Sequence, residues 1–358
     1  MFDFFYNSIC EYQVVNDKLK YYFDNSPYHG DTAVNLAQLL VRTKSSYRYS
    51  EGIKSIQRFT KHYDQELSDF FPLMVLAAAA ERTLENNTKA GIPEEITIAT
   101  LKDTNIWIDN FYQSNGRYGL SDSTWLTGHY TGNLFKIGRL QYELIPFPNW
   151  GFVFTNNITQ ELITLSDETK VNASGHIAGI NGEEGFAFQT SFTLDEDNYE
   201  GYVIDTDNGT ILDKKIKLSK DEWKLVLQPG DMVINIHIPQ GEKLEYEACL
   251  ASIKQAKAFF QKHFPDIKYN AVVCGTWLLD INLLYILPEE SNIIKFMRLF
   301  KKMPIYFSVP MIYERVFGFG FDVKDIASAP ENTSLQRSLK EYTLNGGKVY
   351  NTGGFIID

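Results

Sequence analysis

Apolar residues at helical spacing dominate the N-terminal part of the chain. Over Thr32–Leu40 they recur every three or four positions behind Asp31, whose carboxylate can accept first-turn amides, so a helix capped by Asp31 is predicted. A second helix is predicted to begin at Pro72, because proline suits a first-turn position, and to continue through Ala77–Ala80. A third is predicted over Ile96–Tyr112. The N-terminal part is therefore predicted to be mainly helical.

The pattern becomes strand-like after Leu134. Over Phe186–Leu194 apolar and polar residues alternate, which predicts a strand covered on one side. Two short apolar runs flank Asp207-Asn208-Gly209, and Asn-Gly tolerates the positive φ angles of a tight turn, so a hairpin is predicted there. The apolar phase shifts across Gly138, which predicts a β-bulge.

The last third of the chain alternates strands with helices. Pro239-Gln240-Gly241 ends one predicted strand, and Asn345-Gly346-Gly347 ends the final predicted helix. Because parallel neighbours need a covering crossover, this order predicts βαβ units with parallel pairing. The predicted elements are strands over 232–238, 271–277 and 305–309, and helices over 246–264, 291–300 and 334–344.

Length and composition predict a folded protein of two or three compact units. The chain has 358 residues, of which 44% are hydrophobic and 14% aromatic, so disorder is not expected. Its formal net charge is -11 and it has no long basic run, so nucleic acid is not expected as a partner.

Cysteine content and the N-terminus predict a protein that stays in a reducing compartment. Cys10, Cys249 and Cys274 are too few and too scattered for a disulfide framework. The N-terminus carries an early acid and lacks the features of a signal peptide. The most apolar run, Phe70–Ala80, is about half as long as a bilayer crossing requires. A cytoplasmic location without membrane association is therefore expected.

Five segments of the sequence carry a resemblance to a known family. They are Phe135–Glu143, Ile236–Gly241, Trp277–Asp280, Leu287–Ile293 and Thr333–Arg337. Together they resemble a bacterial family of acyltransferase-domain proteins, with an N-acyltransferase N-terminal domain joined to a GNAT-like C-terminal domain. The resemblance implies an α+β fold, with a helical domain over 1–132 and a GNAT-like mixed α/β domain over 133–358 that includes an extended β-rich central region.

The resemblance implies an acyl-CoA site at one turn. GNAT enzymes hold the coenzyme A pyrophosphate with backbone N–H groups where a glycine-bearing turn links the fourth strand to a helix. The turn that matches here follows Ile238 and contains Gln240, Gly241 and Lys243. The usual pattern has further small residues, and this sequence departs from it by placing acidic side chains at Glu242 and Glu245.

Two residues are candidates for proton transfer. His237 shares a strand face with Val233 and Asn235, so it is a candidate general base for an incoming amine; the alternative is a histidine hydrogen-bonded within the sheet. Tyr285 occupies a segment where GNAT enzymes often keep a tyrosine that protonates the leaving thiolate. The alternative for Tyr285 is packing in an apolar core.

Arg139, Trp277 and Asp280 are candidates for substrate binding. Arg139 stands among apolar residues, where a guanidinium needs an anionic partner; that partner is a substrate or, in the alternative reading, Glu143. Trp277 and Asp280 follow a predicted strand, and ligands of α/β sheets gather beyond the carboxyl ends of strands.

The histidine pattern predicts no metal site. The chain has six histidines, and none shows a spacing to another histidine or to a carboxylate that is typical of metal ligands. They are His29, His62, His129, His176, His237 and His263.

Three functional hypotheses follow. The first is an acyltransferase that moves an acyl group from acyl-CoA or a carrier thioester to an amine on a small molecule or peptide. The second is a non-catalytic protein that binds a small molecule, peptide or glycan on a degenerate GNAT scaffold. The third is a cysteine-dependent hydrolase, in which a base next to Cys274 would activate the thiol.

Overall fold

A computed structural model describes residues 2–42, 54, 56, 58–59, 63–120, 123–180, 184–306, 311–318 and 320–357. Two compact units are distinguished by their internal contacts. The first comprises Met1–Glu143, Ile238–Lys243 and Ala248–Pro265, and the second comprises Leu144–His237, Leu244–Glu247 and Asp266–Asp358.

Helices make up most of the first unit. A π-helical turn spans Phe5–Ile9, and the α-helices are α1 Gln13–Asn25, α2 Pro27–Arg42, α3 Gln65–Lys89, α4 Glu94–Leu101, α5 Asp103–Asn115 and α6 Ser123–Tyr130. Their buried apolar faces form one core, in which α3 contributes Phe70, Phe71 and Leu73. The prediction of a mainly helical N-terminal part is confirmed.

Two predicted helix starts are wrong. Helix α2 begins at Pro27, four residues before Asp31, because proline already has the φ angle of a first helical residue. Helix α3 begins well before Pro72, since Asp64 accepts a hydrogen bond from the Leu67 N–H (2.9 Å) and caps the helix there. Pro72 therefore lies inside α3, surrounded by buried side chains.

The single helix predicted over 96–112 is two helices. Helix α4 ends at Leu101 and α5 resumes at Asp103. The break places the Asp103 carboxylate in a first helical turn, where the helix dipole favours an anion.

A tight hairpin follows these helices. Strands β1 Leu134–Ile137 and β2 Leu140–Pro146 pair antiparallel, with Ile137 opposite Leu140. Gly138 has a φ of +61°, as the first central residue of a type II′ turn requires. The predicted β-bulge at Gly138 is therefore wrong, because the glycine serves a two-residue turn.

The second unit is built on a mixed sheet. Strands β11 Met232–His237 and β12 Ala271–Thr276 pair in parallel, with Val233 opposite Ala271. Beyond β12 lie β14 Thr352–Ile356 and then β13 Lys301–Pro304, both in antiparallel pairings. The predicted parallel pairing is confirmed. The strand predicted over 305–309 is wrong at its start, since the paired residues are 301–304; residues 307–309 of that prediction lie outside the described residues.

The β-rich region forms further sheets in the second unit. Its strands are β3 Phe152–Asn156, β4 Leu162–Ser166, β5 Lys170–Val171, β6 Phe188–Gln189, β7 Phe192–Leu194, β8 Asn198–Asp205, β9 Thr210–Ser219 and β10 Trp223–Leu227. The predicted hairpin is confirmed, because β8 pairs with β9 and Gly209 has a φ of +74°. The single strand predicted over 186–194 is wrong: Thr190 interrupts it by exchanging hydrogen bonds with the Thr169 backbone.

The remaining helices cover and connect the strands. They are α7 Tyr246–His263, α8 Asn292–Met297, α9 Met311–Phe317 and α10 Ser334–Leu344, with 3₁₀ turns at Trp277–Leu279, Ile281–Tyr285 and Val323–Ser328. The predictions for α7 and α10 are confirmed, and α8 is shorter than its predicted range. Among the helices that the structure describes, none has both the length and the apolar character that a bilayer crossing demands.

Candidate active site

The loop that follows β11 has the features of an anion site. This loop, residues 238–243, carries Gly241 with a φ of +104° and open space where a Cβ would lie. The backbone N–H groups of residues 240–243 donate no hydrogen bond to any residue that the structure describes. Backbone N–H groups left open in a glycine-bearing turn ahead of a helix are the groups that bind phosphate oxygens.

Arg139 holds the 238–243 loop from the β1–β2 turn. Its Nε donates to the Lys243 carbonyl (2.9 Å) and its Nη2 donates to the Glu242 carbonyl (2.6 Å). In a trans peptide the C=O and N–H point in opposite directions. Because Arg139 fixes these two carbonyls, the N–H groups of Lys243 and Leu244 point away from the guanidinium.

Two further contacts fix the loop side chains. Lys136 Nζ lies 2.7 Å from Glu242 Oε1, and this hydrogen bond, despite partial burial, holds the pKa of Glu242 below its ordinary value. Asn110 Nδ2 donates to Gln240 Oε1 (3.3 Å). Lys136 thus neutralises the Glu242 carboxylate. Because of this pairing, Glu242 repels an anion at the loop less strongly.

Arg139 is a buried cation without an anionic partner. Its residue is 6% exposed, and in the described part of the chain no carboxylate lies within ion-pair distance of it, so the expected pair with Glu143 is wrong. Its Nη1 is buried and makes no hydrogen bond. Burial lowers the pKa of Arg139 from its ordinary value. A buried charge is normally compensated, so this guanidinium favours an anion nearby.

His237 is the last residue of β11 and directly precedes the loop. Its Nε2 lies 3.0 Å from Asn235 Nδ2, so the two side chains share a strand face, as predicted. The ring is half-buried. Its role as a base stays a prediction.

Asp280 and Tyr285 line one cavity of the second unit. The cavity has a volume of about 470 Å³. Tyr285 is 76% exposed, so the alternative of core packing is wrong for it. Trp277 is not on the cavity wall; it packs on the apolar cluster around Leu283 and Ile294.

Asp280 is buried on the cavity wall. Its Oδ1 accepts from the Asn282 N–H (2.7 Å) and its Oδ2 accepts from the Tyr350 N–H. Burial nevertheless raises the pKa of Asp280 to about 7. The contact from Tyr350 ties the segment after β12 to the segment before β14.

A buried histidine–carboxylate pair in the first unit has no counterpart among the residues predicted from the sequence. His129 Nε2 lies 3.3 Å from Asp103 Oδ2, and Asp103 also accepts from Trp107 Nε1 (3.1 Å) and Trp125 Nε1 (3.1 Å). Gln141 Nε2 donates to Asp103 Oδ1 (2.9 Å). Burial alone would raise the pKa of Asp103, but His129 and these donors hold it below its ordinary value. His129 is 1% exposed, so substrate does not reach it in this conformation.

Cys274 lies inside the sheet. It is 1% exposed, and burial raises the pKa of its thiol far above the ordinary value. A thiolate nucleophile needs the opposite environment, so the hydrolase hypothesis is wrong for this residue. Within the described residues no group of three or more histidine, cysteine or acidic side chains is arranged to hold a metal ion.

Comparisons with known proteins agree with this architecture. A sequence model of the GNAT-like C-terminal domain matches residues 134–356, and one of the N-acyltransferase N-terminal domain matches residues 31–132. The predicted family and the predicted α+β fold class are confirmed. No match is found among functionally curated proteins.

Solved structures show the same fold at low sequence identity. An acyltransferase in complex with decanoyl-CoA and teicoplanin is 19% identical, with a TM-score of 0.59 over 93% of this chain and 79% of that chain. An acyltransferase in complex with decanoyl-CoA is 20% identical, with a TM-score of 0.58 over the same shares. A third, in complex with CoA and 10C-teicoplanin, is 19% identical, with a TM-score of 0.57.

Proposed function

The chain belongs to the GNAT-like C-terminal domain family, and on that premise we propose that it is an acyltransferase that moves an acyl group from acyl-CoA to an amine. The observation that carries the proposal is the 238–243 loop, where open backbone N–H groups lie beside the buried Arg139. These groups supply positive potential for the coenzyme A pyrophosphate. The helical domain is assigned to residues 1–132 and the acyltransferase domain to 133–358.

Individual loop residues have distinct roles in this proposal. Ile238, Gln240, Gly241 and Lys243 bind the donor, with Gly241 allowing close approach of the backbone. Arg139 contributes the charge of its guanidinium and fixes the carbonyls of residues 242 and 243, so that the N–H groups of Lys243 and Leu244 face the other side of the loop. Similar acyltransferase structures contain decanoyl-CoA, which favours a fatty acyl thioester as the donor.

The reaction in this proposal is aminolysis of a thioester. His237 accepts a proton from the amine as its nitrogen bonds to the thioester carbonyl carbon. The tetrahedral intermediate then breaks its C–S bond, giving an amide and a thiolate. Tyr285 protonates the thiolate, so that coenzyme A leaves as the thiol, and the proton held by His237 then returns to the Tyr285 phenolate through solvent. Asp280 and Trp277 remain candidates for contacts to the acceptor, which is a small molecule or peptide amine.

Donor binding tests the loop directly. The binding of CoA and decanoyl-CoA is measured by calorimetry for the wild type, Gly241→Glu and the control Gly230→Glu. Both glycines have positive φ (+104° and +94°) and open space at the Cβ position. The two substitutions therefore add the same charge and a similar backbone strain to the protein. A carboxylate within a few ångströms of the pyrophosphate weakens binding about tenfold or more. Equal affinity in all three proteins would contradict a donor site at this loop.

Turnover separates the enzyme from the binding-protein hypothesis. Thiol release from decanoyl-CoA is followed with a panel of primary amines, for the wild type, His237→Ala and His129→Ala. Loss of turnover with retained decanoyl-CoA affinity is expected for His237→Ala, since the base acts after binding. Turnover that persists in His237→Ala would refute its role as the base, and His129→Ala reports only on the integrity of the buried core. Binding without turnover for every amine would favour the non-catalytic alternative.

A further inference from the structure

The cavity of the second unit combines a buried carboxylate with aromatic rings. Asp280 is 2% exposed, and Tyr285 and Tyr350 line the same space. His176 stacks on Tyr350 with a ring-centroid distance of 4.1 Å. A volume of about 470 Å³ is within the range of small-molecule sites. The wall therefore offers an anionic group and ring faces to one small ligand.

Asp280 has no counter-ion among the residues that the structure describes. The charged neighbour that acts on it is Lys302 of β13, which is itself buried but not within ion-pair distance. From α10, Tyr342 also acts on Asp280, and that phenol stays neutral because burial raises its pKa. Asp280 accepts hydrogen bonds from the backbone N–H groups of Asn282 and Tyr350 and from the Asn282 side chain, all of them neutral donors. A buried carboxylate that lacks a cation is costly.

The rest of the wall offers no permanent cation to an anionic ligand. Among the described lining residues there is no lysine or arginine, and Asn208, Thr210 and Asn282 contribute neutral hydrogen-bonding groups. An anionic ligand would meet the Asp280 carboxylate without compensation. A cation would pair with that carboxylate and lie near the tyrosine rings, whose faces attract ammonium groups.

We propose that this cavity binds a small molecule, or the end of a larger one, through a primary ammonium group that pairs with Asp280 and lies against the rings of Tyr285 and Tyr350. Binding of the amine follows from the cavity alone. Its identification as the acyl acceptor rests on the proposed acyltransferase function.

Matched ligands test the charge requirement without altering the protein. Tyramine and tyrosol differ in having an ammonium or a hydroxyl group at the end of the same aromatic chain, and glucosamine and glucose form a second pair. Calorimetry with the full chain at pH 8, without acyl-CoA, is expected to show that at least one amine binds about tenfold more tightly than its neutral partner. Equal affinities in both pairs, or no binding by any of the four at millimolar concentration, would overturn the proposal.

Variants locate the effect. Asp280→Asn is expected to remove the preference for the amine, whereas Asp266→Asn, an equal charge change at an exposed turn of the same unit, is expected to keep it. If Asp280→Asn does not fold by circular dichroism, Asn282→Lys supplies a second test, because a lysine on the cavity wall competes with the ligand for Asp280. A preference that survives in a folded Asp280→Asn or Asn282→Lys protein would overturn the assignment.

A CoA titration of the same samples separates this inference from the proposed function. CoA binding with no amine preference overturns the ammonium site and leaves the donor site standing. An amine preference with no CoA binding supports the ammonium site and overturns the donor site.

Discussion

Replacing Asp103 with Asn is expected to destabilise the helical core. The carboxylate is 6% exposed and accepts from Trp107, Trp125 and Gln141 at 2.9–3.1 Å, with His129 at 3.3 Å. An asparagine keeps one acceptor oxygen and turns an NH₂ group toward the remaining donors. With the asparagine oxygen in the Oδ2 position both indoles keep their acceptor, and the Gln141 amide loses its own; a buried donor left unpaired costs about 1–3 kcal/mol. The expected loss is therefore about 1–3 kcal/mol.

Urea unfolding, followed by tryptophan fluorescence and circular dichroism, measures this loss. Trp107 and Trp125 contact the replaced group, so the fluorescence reports on the site itself. Asp31→Asn is the control, because Asp31 is exposed on α2 and its change is expected to stay within about 0.5 kcal/mol. A loss of less than about 1 kcal/mol for Asp103→Asn would refute the reasoning.

The pH dependence of the same difference gives a second check. The pKa of Asp103 is lowered in the folded protein, so its carboxylate stabilises the fold above the unfolded-state pKa near 4. This contribution disappears as the pH falls through the folded pKa. The stability difference between wild type and Asp103→Asn is therefore expected to be constant near neutrality and to shrink below about pH 4. A difference that widens on acidification would contradict the direction of the shift.

Three further outcomes follow from the fold. Cys274 is expected to resist alkylation in the native protein at pH 8, because burial raises its pKa; mass spectrometry showing rapid native labelling would contradict this. Thr333→Ala is expected to cost about 1 kcal/mol in urea unfolding by removing the capping box of α10, whereas Thr333→Ser is expected to retain it. Gly354→Ala is expected to cost about 1–3 kcal/mol, because the added methyl would lie 2.7 Å from Leu279 Cδ1 and 2.8 Å from Phe300 Cβ; an unchanged unfolding midpoint would show that these neighbours give way.

Local patterns account for what the sequence predicted well. The threefold and fourfold spacing of apolar residues identified α7 and α10, since each helix buries one face. The Asn208-Gly209 pair predicts the β8–β9 hairpin, because such a turn needs a residue with positive φ and Gly209 supplies it (+74°). Both signals depend only on neighbouring residues.

Long-range polar contacts account for what it missed. Asp103 and His129 lie on different helices, and no spacing rule connects them. For Arg139 the sequence offers a substrate or Glu143 as the anionic partner, but the hydrogen bonds in the structure go to the backbone carbonyls of residues 242 and 243, which no side-chain pattern reveals. Pro72 was read as a helix start because sequence alone does not show that Asp64 already caps the helix.

Arg139 and Asp280 are buried charges of opposite sign, each without an ion-pair partner in the described structure, and this determines what each site can bind. Arg139 in the first unit is compensated only by carbonyl dipoles, so an anion at the 238–243 loop lowers the cost of burying it. Asp280 in the second unit is compensated only by N–H dipoles, so a cation lowers its cost. In the proposed reaction the acyl-CoA is the anion at the loop and the amine is the cation at Asp280. Each ligand alone is therefore expected to raise the melting temperature, because each binds the folded state and removes an uncompensated charge.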